Sequence, residues 1–276
     1  MRKPDFVIIG AAKAATTWIA HQLRQRDDVF LPGPEPHYFS RENHRGGEWY
    51  DRWFDDAAPG QLVGEKSADY LADEAVPERI ARDLPETRLI VQLRDPVQRA
   101  YSDYCMFYRR GAIGTDVACA LDPARTSHPR FLNDGLYGRH LARLFDHVPR
   151  SRVTIILHDD IVAAPEQSLA IVTTALRLPK RLPVSIDERV NDRATPLAPF
   201  ALRRLPPSLK AAFSPLRGMA PFATARRLIA RPVSYPPLDT DLRLRLEDFY
   251  REDMATLAAL TGLNLDRWYD PVRAAA

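Results

Sequence analysis

The chain has 276 residues, of which 45% are hydrophobic and 27% charged, and its formal net charge at pH 7 is +3. This composition is ordinary for a soluble globular protein, and the length suffices to bury a full core. No apolar run approaches the roughly 18 residues that a membrane span needs, and the N-terminus runs directly into the first predicted strand. We therefore expect a cytoplasmic protein with one domain over residues 1–276.

The cysteines and histidines follow no metal-binding pattern. Two cysteines are present, Cys105 and Cys119, and the seven histidines show neither an HExxH motif nor a paired ligand spacing. We predict that no metal is bound. A single disulfide and two free thiols both fit the cysteines, and we favour free thiols.

The chain opens with a strand, a short loop and a helix. Residues 6–9 are β-branched or aromatic and predict a buried strand, and helical periodicity over residues 16–25 predicts the helix. Gly10, Lys13 and two threonines stand between them, and backbone N–H groups at such a helix N-terminus bind anions. The spacing differs from the Walker motif. We interpret the loop as a phosphate cradle; the alternative is an ordinary turn before a helix capped by Thr16.

Two further stretches carry polar residues beside predicted structure. The prolines within residues 29–40 exclude a regular helix, so Glu35 and His37 stand in a loop that is either a substrate wall or a packed surface loop. A short strand over residues 61–64 ends at Glu65 and Lys66. Ligands gather at the carboxyl ends of strands in open α/β sheets, although a solvated salt bridge would also explain this acid and base.

A third strand, residues 88–93, ends at Arg94 and is followed by a helix that begins at Pro96. Arg94 and Ser102 could together bind a second phosphate, because arginine gives two parallel hydrogen bonds and serine one. Helix capping and surface pairing are the alternative explanation for both residues.

The remaining elements complete an alternation of strands and helices. We predict helices over residues 76–83, 135–147 and 165–176, a strand over 153–157, a long loop over 110–133, and a final amphipathic helix over 239–262 that packs on the sheet. This order predicts an α/β fold with a mostly parallel sheet flanked by helices on both faces.

The segment 199–238 differs in composition from the rest of the chain, since it contains seven bases and no Asp or Glu. Three roles fit this charge: a cover for an anionic donor, a dock for an acidic acceptor, or a surface for peripheral membrane contact. A plain basic surface is the alternative, and nucleic acid is not expected because no groove-reading motif accompanies the segment.

Taken in order, these motifs resemble those of the sulfotransferases that use 3′-phosphoadenosine-5′-phosphosulfate (PAPS), particularly the branch with heparan sulfate sulfotransferases and their bacterial relatives. The resemblance rests on five stretches. They are Ile8 to Thr17, Glu35 to Ser40, Gly64 to Tyr70, Leu89 to Tyr104, and Tyr235 to Leu238 with the final helix to Trp268. Two departures stand out: alanine replaces the usual glycine at Ala14 or Ala15, and no Ser-Lys-Gly-Arg stretch precedes the last helix.

The resemblance implies a P-loop-like sulfotransferase fold, with an α/β core at residues 5–178, a basic variable segment at 199–238 and a C-terminal helix at 239–268. It implies in-line sulfuryl transfer to a hydroxyl or amine of a glycan, glycolipid or natural product, with PAPS as co-substrate and no metal. A small-molecule kinase of the P-loop class and a catalytically silent membrane-surface protein are the alternatives.

Roles for single residues also come from the resemblance. Lys13 would stabilise charge on the bridging oxygen, Glu65 would be the general base, and His37 would be the reserve base. The 5′-phosphate would be held by Ala14, Ala15, Thr16 and Thr17, the 3′-phosphate by Arg94 and Ser102, and the acceptor by Glu65, Lys66, Tyr70 and His37.

Overall fold

The structure is a computed structural model that describes residues 2–179 and 233–269. The strands of its sheet are β1 (Phe6–Gly10), β2 (Val29–Phe30), β3 (Leu62–Lys66), β4 (Arg88–Leu93) and β5 (Val153–Leu157). All are parallel to their neighbours in the order β2-β3-β1-β4-β5, so the chain crosses over β1 between β3 and β4. The predicted parallel α/β sheet is confirmed, with β2 as an additional short strand.

Ten α-helices accompany these strands in the described residues. They are α1 (Thr16–Arg24), α2 (Gly47–Asp51), α3 (Val76–Asp83), α4 (Pro96–Arg110), α5 (Val117–Leu121), α6 (Arg130–Asn133), α7 (Tyr137–His147), α8 (His158–Ala163), α9 (Pro165–Ala175) and α10 (Thr240–Thr261).

The helices cover both faces of the sheet. Successive side chains of a strand point to opposite faces, so Ile8 packs with α1, α8 and α9, while its neighbour Val7 packs with α3, α4, α7 and α10. The two resulting apolar layers are buried. The carboxyl ends of β1, β3 and β4 meet at one edge between these layers, which is where a ligand site is expected in such a sheet.

Several predicted boundaries need correction. Residues 110–133 are not one loop, because they contain α5 and α6; each is too short to show a helical period, and the Asp116 side chain caps α5 through Cys119 N at 2.9 Å. The final helix packs mainly on α7, with further contacts to α4 and α5, and its buried apolar side chains share a core layer with those of the sheet. Both cysteines are free thiols, as predicted.

Most of the basic segment at 199–238 lies outside the described residues, so its roles and the single domain over 1–276 stay predictions. Within residues 2–179 and 233–269, no helix combines the length and the apolar character that crossing a bilayer requires.

Candidate active site

The loop after β1 is held in place by the neighbouring strand β4. Gly10 ends β1 with a φ of +147°, and a side chain there would approach Leu71 Cβ to 2.8 Å, so glycine is required. The Gln92 carbonyl accepts from Ala11 N at 2.7 Å, and the Gln92 side chain donates to Ala14 O at 3.1 Å. A buried glutamine in an otherwise apolar strand was a sequence signal for this contact that we did not use.

The N-terminus of α1 fits an anionic ligand. Lys13 and Ala15 have φ values of 71° and 67°, and Ala15 is the N-cap residue. The alternative of a helix capped by Thr16 is therefore wrong, since Thr16 is the first helical residue and no side chain caps α1. The N–H groups of a first helical turn have no partner inside the helix, and this turn contains no acidic residue that would repel an anion.

Arg94 and helix α4 lie against the loop that carries Lys13. Lys13 Nζ lies 3.5 Å from Met106 Sδ, so α4 presents the face of Met106 toward the loop. Ser102 stands one turn earlier on that face. The Arg94 guanidinium donates to Lys13 O at 3.4 Å.

Lys66 connects this loop to the Glu35 loop. Its Nζ lies 3.3 Å from Thr17 Oγ1 and 2.6 Å from Glu35 Oε1, and its side chain is 7% exposed. Glu65 precedes it in β3, so the Glu65 side chain leaves the strand on the opposite face. Only one of these two neighbours can face the loop, and it is Lys66.

Glu65 is enclosed by the other layer of the core. Its side chain has no exposed area, and it accepts hydrogen bonds from Tyr50 Oη at 2.9 Å and Ser67 Oγ at 3.1 Å. Burial raises the pKa of Glu65 to about 8, although the hydrogen bonds from Tyr50, Tyr70 and Ser67 act in the opposite direction. This burial argues against Glu65 as a group that contacts an acceptor.

Tyr70 is buried beside Glu65. It is 0% exposed, and its hydroxyl accepts from Phe39 N at 3.1 Å. Its ring and hydroxyl belong to the core, and its predicted contact with an acceptor stays a prediction.

Glu35 lies where the sequence analysis expected Glu65. Its carboxylate pairs with Lys66 and also accepts from Ala68 N at 2.9 Å, and its side chain is 28% exposed. We considered Glu35 only as a substrate wall, because a proline-rich loop shows no periodicity that fixes the direction of a side chain. The sequence contained one indication that Glu35 belongs to the site, which is that only one residue separates it from His37.

His37 is held between two carboxylates. Its Nδ1 pairs with Asp69 Oδ1 at 2.7 Å, and its Nε2 lies 3.9 Å from Glu35 Oε2. Burial raises the pKa of Asp69, but the hydrogen bonds from His37 and Ser40 and the charge of Arg41 outweigh it, so the pKa lies below its usual value. Asp69 was not among the predicted site residues.

Within the described residues, Glu35, His37 and Asp69 are also the group whose ligand atoms, all within 4.8 Å of one another, could hold a cation. The ammonium of Lys66 already neutralises Glu35, and the His37 ring already pairs with Asp69. A bound cation would have to replace these interactions. The predicted absence of a metal stays a prediction.

Comparison with known proteins identifies relatives with one kind of activity. No known family profile matches the chain. It is 30% identical over 189 residues to the heparan sulfate glucosamine 3-O-sulfotransferase 3B1 of Mus musculus. This alignment covers 63% of this chain and 46% of the relative. The chain is 28% identical over 270 residues to the 3B1 enzyme of Homo sapiens, in an alignment that covers 94% of this chain and 63% of the relative. The chain thus spans about half to two thirds of the length of these curated relatives.

A solved structure supports the fold over nearly the whole length. The sulfotransferase from Alicyclobacillus acidocaldarius matches with a TM-score of 0.70 at 23% identity, covering 98% of this chain and 100% of that chain. The parallel sheet and the sequence relatives agree. The chain therefore has the fold of this solved sulfotransferase and is similar in sequence to the heparan sulfate 3-O-sulfotransferases.

Proposed function

We propose that this protein transfers a sulfuryl group from PAPS to a hydroxyl or amine of an acceptor. The observation that carries the proposal is the double contact of Lys66, which joins the anion-binding N-terminus of α1 to the Glu35 carboxylate. A donor on α1 and an acceptor at Glu35 would then meet at one point. Holding two reactants in this way supplies much of the rate in group transfer.

The donor brings the activated sulfuryl group, and the chain supplies the positive charge around it. The N–H groups of Thr16 and Thr17 and the backbone of Ala14 and Ala15 would hold the 5′-phosphate. Lys13 would stabilise the charge that develops on the oxygen that leaves with the nucleotide. The 3′-phosphate would be bound by Arg94 and Ser102, since a guanidinium and a hydroxyl near one phosphate form charge-assisted hydrogen bonds.

Glu35 is the proposed general base in place of Glu65. It is partly exposed and lies beside Lys66, whereas Glu65 is enclosed in the core. A base must come within hydrogen-bond distance of the proton that it takes, which excludes a carboxylate without an exposed surface in this conformation. His37 stays in the site as a group beside the base.

The acceptor is a glycan or a small molecule with a hydroxyl or amine. The curated relatives are named for the glucosamine of heparan sulfate, so a glucosamine-containing oligosaccharide is the first acceptor to test. Cytoplasmic location, lack of nucleic-acid binding and membrane contact through residues 199–238 stay predictions.

Thermal stabilisation by the nucleotide product tests the donor site. A ligand at 100 times its dissociation constant adds about 2.7 kcal/mol of stability, so 3′-phosphoadenosine-5′-phosphate (PAP) should raise the Tm by several degrees. ATP with magnesium and anionic vesicles represent the two alternatives, a kinase and a membrane-surface protein. A shift with either of these and none with PAP would contradict the proposal.

The 3′-phosphate contact can be tested by the difference between two nucleotides. Arg94→Ala should weaken PAP binding about 10-fold or more, because a charged hydrogen bond contributes about 1.5–3 kcal/mol. It should leave the affinity for adenosine 5′-phosphosulfate, which lacks the 3′-phosphate, nearly unchanged. Calorimetric titration measures both, and equal losses for the two nucleotides would remove Arg94 from the 3′-phosphate site.

A further inference from the structure

We infer that Asp69 is a positioning residue that orients the His37 imidazole, so that its Nε2 can take from Glu35 the proton released by the acceptor. The inference rests on the proposed sulfuryl transfer. It adds a route by which the base is regenerated, and it assigns a role to a carboxylate that the sequence motifs did not single out.

The first support is the direction of the ring. Asp69 Oδ1 lies 2.7 Å from Nδ1, and an ionised carboxylate can only accept a hydrogen bond, so the proton of the neutral imidazole resides on Nδ1. The Asp69 pKa below its usual value agrees with an ionised group. Nε2 then carries the lone pair, and it lies 3.9 Å from Glu35 Oε2.

The second support is the fixed backbone of His37. Its φ of 53° is a conformation that few side-chain-bearing residues adopt, and such residues cluster at functional sites. The conformation is held from both sides: His37 N donates to Ser67 Oγ at 3.0 Å, and His37 O accepts from the backbone N–H groups of Arg41 and Glu42, each at 3.0 Å.

The third support is the charge balance around the ring. Asp69 also accepts a hydrogen bond from Ser40 Oγ at 3.0 Å and pairs with Arg41 Nε at 3.2 Å. These contacts keep Asp69 ionised while the His37 ring gains and releases a proton. Glu35 is paired with Lys66 on its other side. The described charged groups that face His37 are thus Asp69 and Glu35, each backed by one cation.

The proton transfer balances as follows. The acceptor oxygen forms a bond to sulfur as its proton moves to Glu35, and the sulfur–oxygen bond to the nucleotide breaks with its electron pair on the 5′-phosphate. The proton then passes from Glu35 to Nε2 of His37. The resulting imidazolium is stabilised by Asp69 and releases the proton to water, since the His37 side chain is 25% exposed.

The test uses Asp69→Asn in the full chain, with Glu42→Gln as a matched control. Glu42 lies in the loop that carries His37, its substitution removes the same charge, and it pairs with Arg45, away from the ring. Nitrogen NMR of labelled histidine should show the Nδ1–H form in the wild type and the control, and its loss in Asp69→Asn. Activity is measured with the best of three acceptors: a glucosamine oligosaccharide, a phenol and a long-chain alcohol. We expect kcat to fall about 10- to 100-fold in Asp69→Asn, which is a smaller fall than removal of the general base would cause.

PAP affinity separates this inference from the proposed function. Wild-type protein that binds no PAP contradicts the sulfotransferase activity. Normal PAP binding in Asp69→Asn together with an unchanged tautomer, or with an unchanged kcat and pH profile, overturns the role of Asp69. If Asp69→Asn has the Tm of the wild type, misfolding is excluded as the cause of a lost activity. In a second variant, His37→Gly, added imidazole should restore part of kcat if the ring carries the proton.

Discussion

Glu65 and Lys66 are adjacent in β3, yet their side chains leave the strand on opposite faces and meet different environments. Lys66 contacts Thr17 and Glu35 at the site, whereas Glu65 accepts hydrogen bonds from Tyr50 and Ser67 in the core. The adjacency in sequence suggested one shared role. The alternation of a strand separates the two residues, and because Glu65 is buried we propose Glu35 as the carboxylate near the acceptor.

The two carboxylates can be distinguished by activity. Glu35→Gln should lower kcat by about 10²-fold or more, because a general base contributes about 10²- to 10⁴-fold. Glu65→Gln should leave kcat nearly unchanged, since Gln retains the shape of the buried group. Both variants should bind PAP as the wild type does, by calorimetric titration. The reverse pattern, with turnover lost only in Glu65→Gln, would restore the original assignment.

The burial of Glu65 also predicts how stability depends on pH. The pKa of Glu65 is raised from 4.5 to about 8 on folding. Between these values the folded chain holds a proton that the unfolded chain has released, so this group makes the free energy of unfolding fall as pH rises. Glu65→Gln has no such proton.

We therefore expect Glu65→Gln to raise the Tm at pH 8 and to change it much less at pH 5. A gain of about 1 kcal/mol corresponds to about 2–4 °C for a chain of roughly this size. Scanning calorimetry at both pH values measures the difference. An equal shift at both would show that Glu65 does not titrate differently in the folded chain.

At the scale of an element, the strand, loop and helix at residues 6–24 carry the proposed donor site. The loop requires left-handed backbone at Lys13 and Ala15, a conformation that costs an L-residue about 1–2 kcal/mol. Alanine at position 14 or 15 is a departure from the glycine usual in the sulfotransferase motif. The departure matters at Ala15, because this residue adopts the left-handed conformation with its Cβ present.

Substitutions at Ala15 measure that strain. Ala15→Gly should be neutral or stabilising by up to about 1 kcal/mol, because the relief of strain is partly offset by the greater freedom of glycine in the unfolded chain. Ala15→Val should destabilise by about 1–3 kcal/mol, since a β-branched side chain fits the left-handed region poorly. Urea unfolding measures both. Equal stability of Gly and Val variants would mean that the loop has a different conformation.

At the scale of the whole molecule, α10 joins the C-terminal part of the chain to the core through α7. Asp253 of α10 accepts hydrogen bonds from Gly138 N and Arg139 N, both at 2.8 Å, and so satisfies the first turn of α7 from another helix. Gly138 allows this approach, because a Cβ there would overlap the Asp253 carbonyl and lie 2.9 Å from Thr256 Cβ.

Gly138→Ala should therefore destabilise the protein. The better helix propensity of alanine gains about 1 kcal/mol, but overpacking against a backbone carbonyl costs about 1–3 kcal/mol or more. We expect a net loss that urea unfolding can measure, with PAP affinity unchanged in the folded protein. Arg139→Ala, on the exposed neighbour, is the control and should change stability by no more than about 0.5 kcal/mol. A Gly138→Ala variant as stable as this control would contradict the close packing of the two helices.

The sequence by itself determined the elements with long, clear periods and strong end signals. The helix predicted over residues 239–262 is observed at Thr240–Thr261, with Asp239 and Gly262 as its capping residues, and the strand at Arg88–Leu93 has the predicted bounds. These follow from local chemistry, because caps, glycines and apolar periods act within a few residues. The order of the motifs also indicated the resemblance to sulfotransferases, to which the chain is similar in sequence and in fold.

Only the tertiary structure decided which polar side chains share the site. Glu35, His37 and Asp69 come from two segments about 30 residues apart, and their approach depends on where a proline-rich loop lies against the end of β3. No local pattern encodes that packing. Solvent exposure in the assembled fold decides whether a carboxylate can act as a base or is a buried hydrogen-bond acceptor. For this reason our proposal assigns the role of general base to Glu35 and no longer to Glu65.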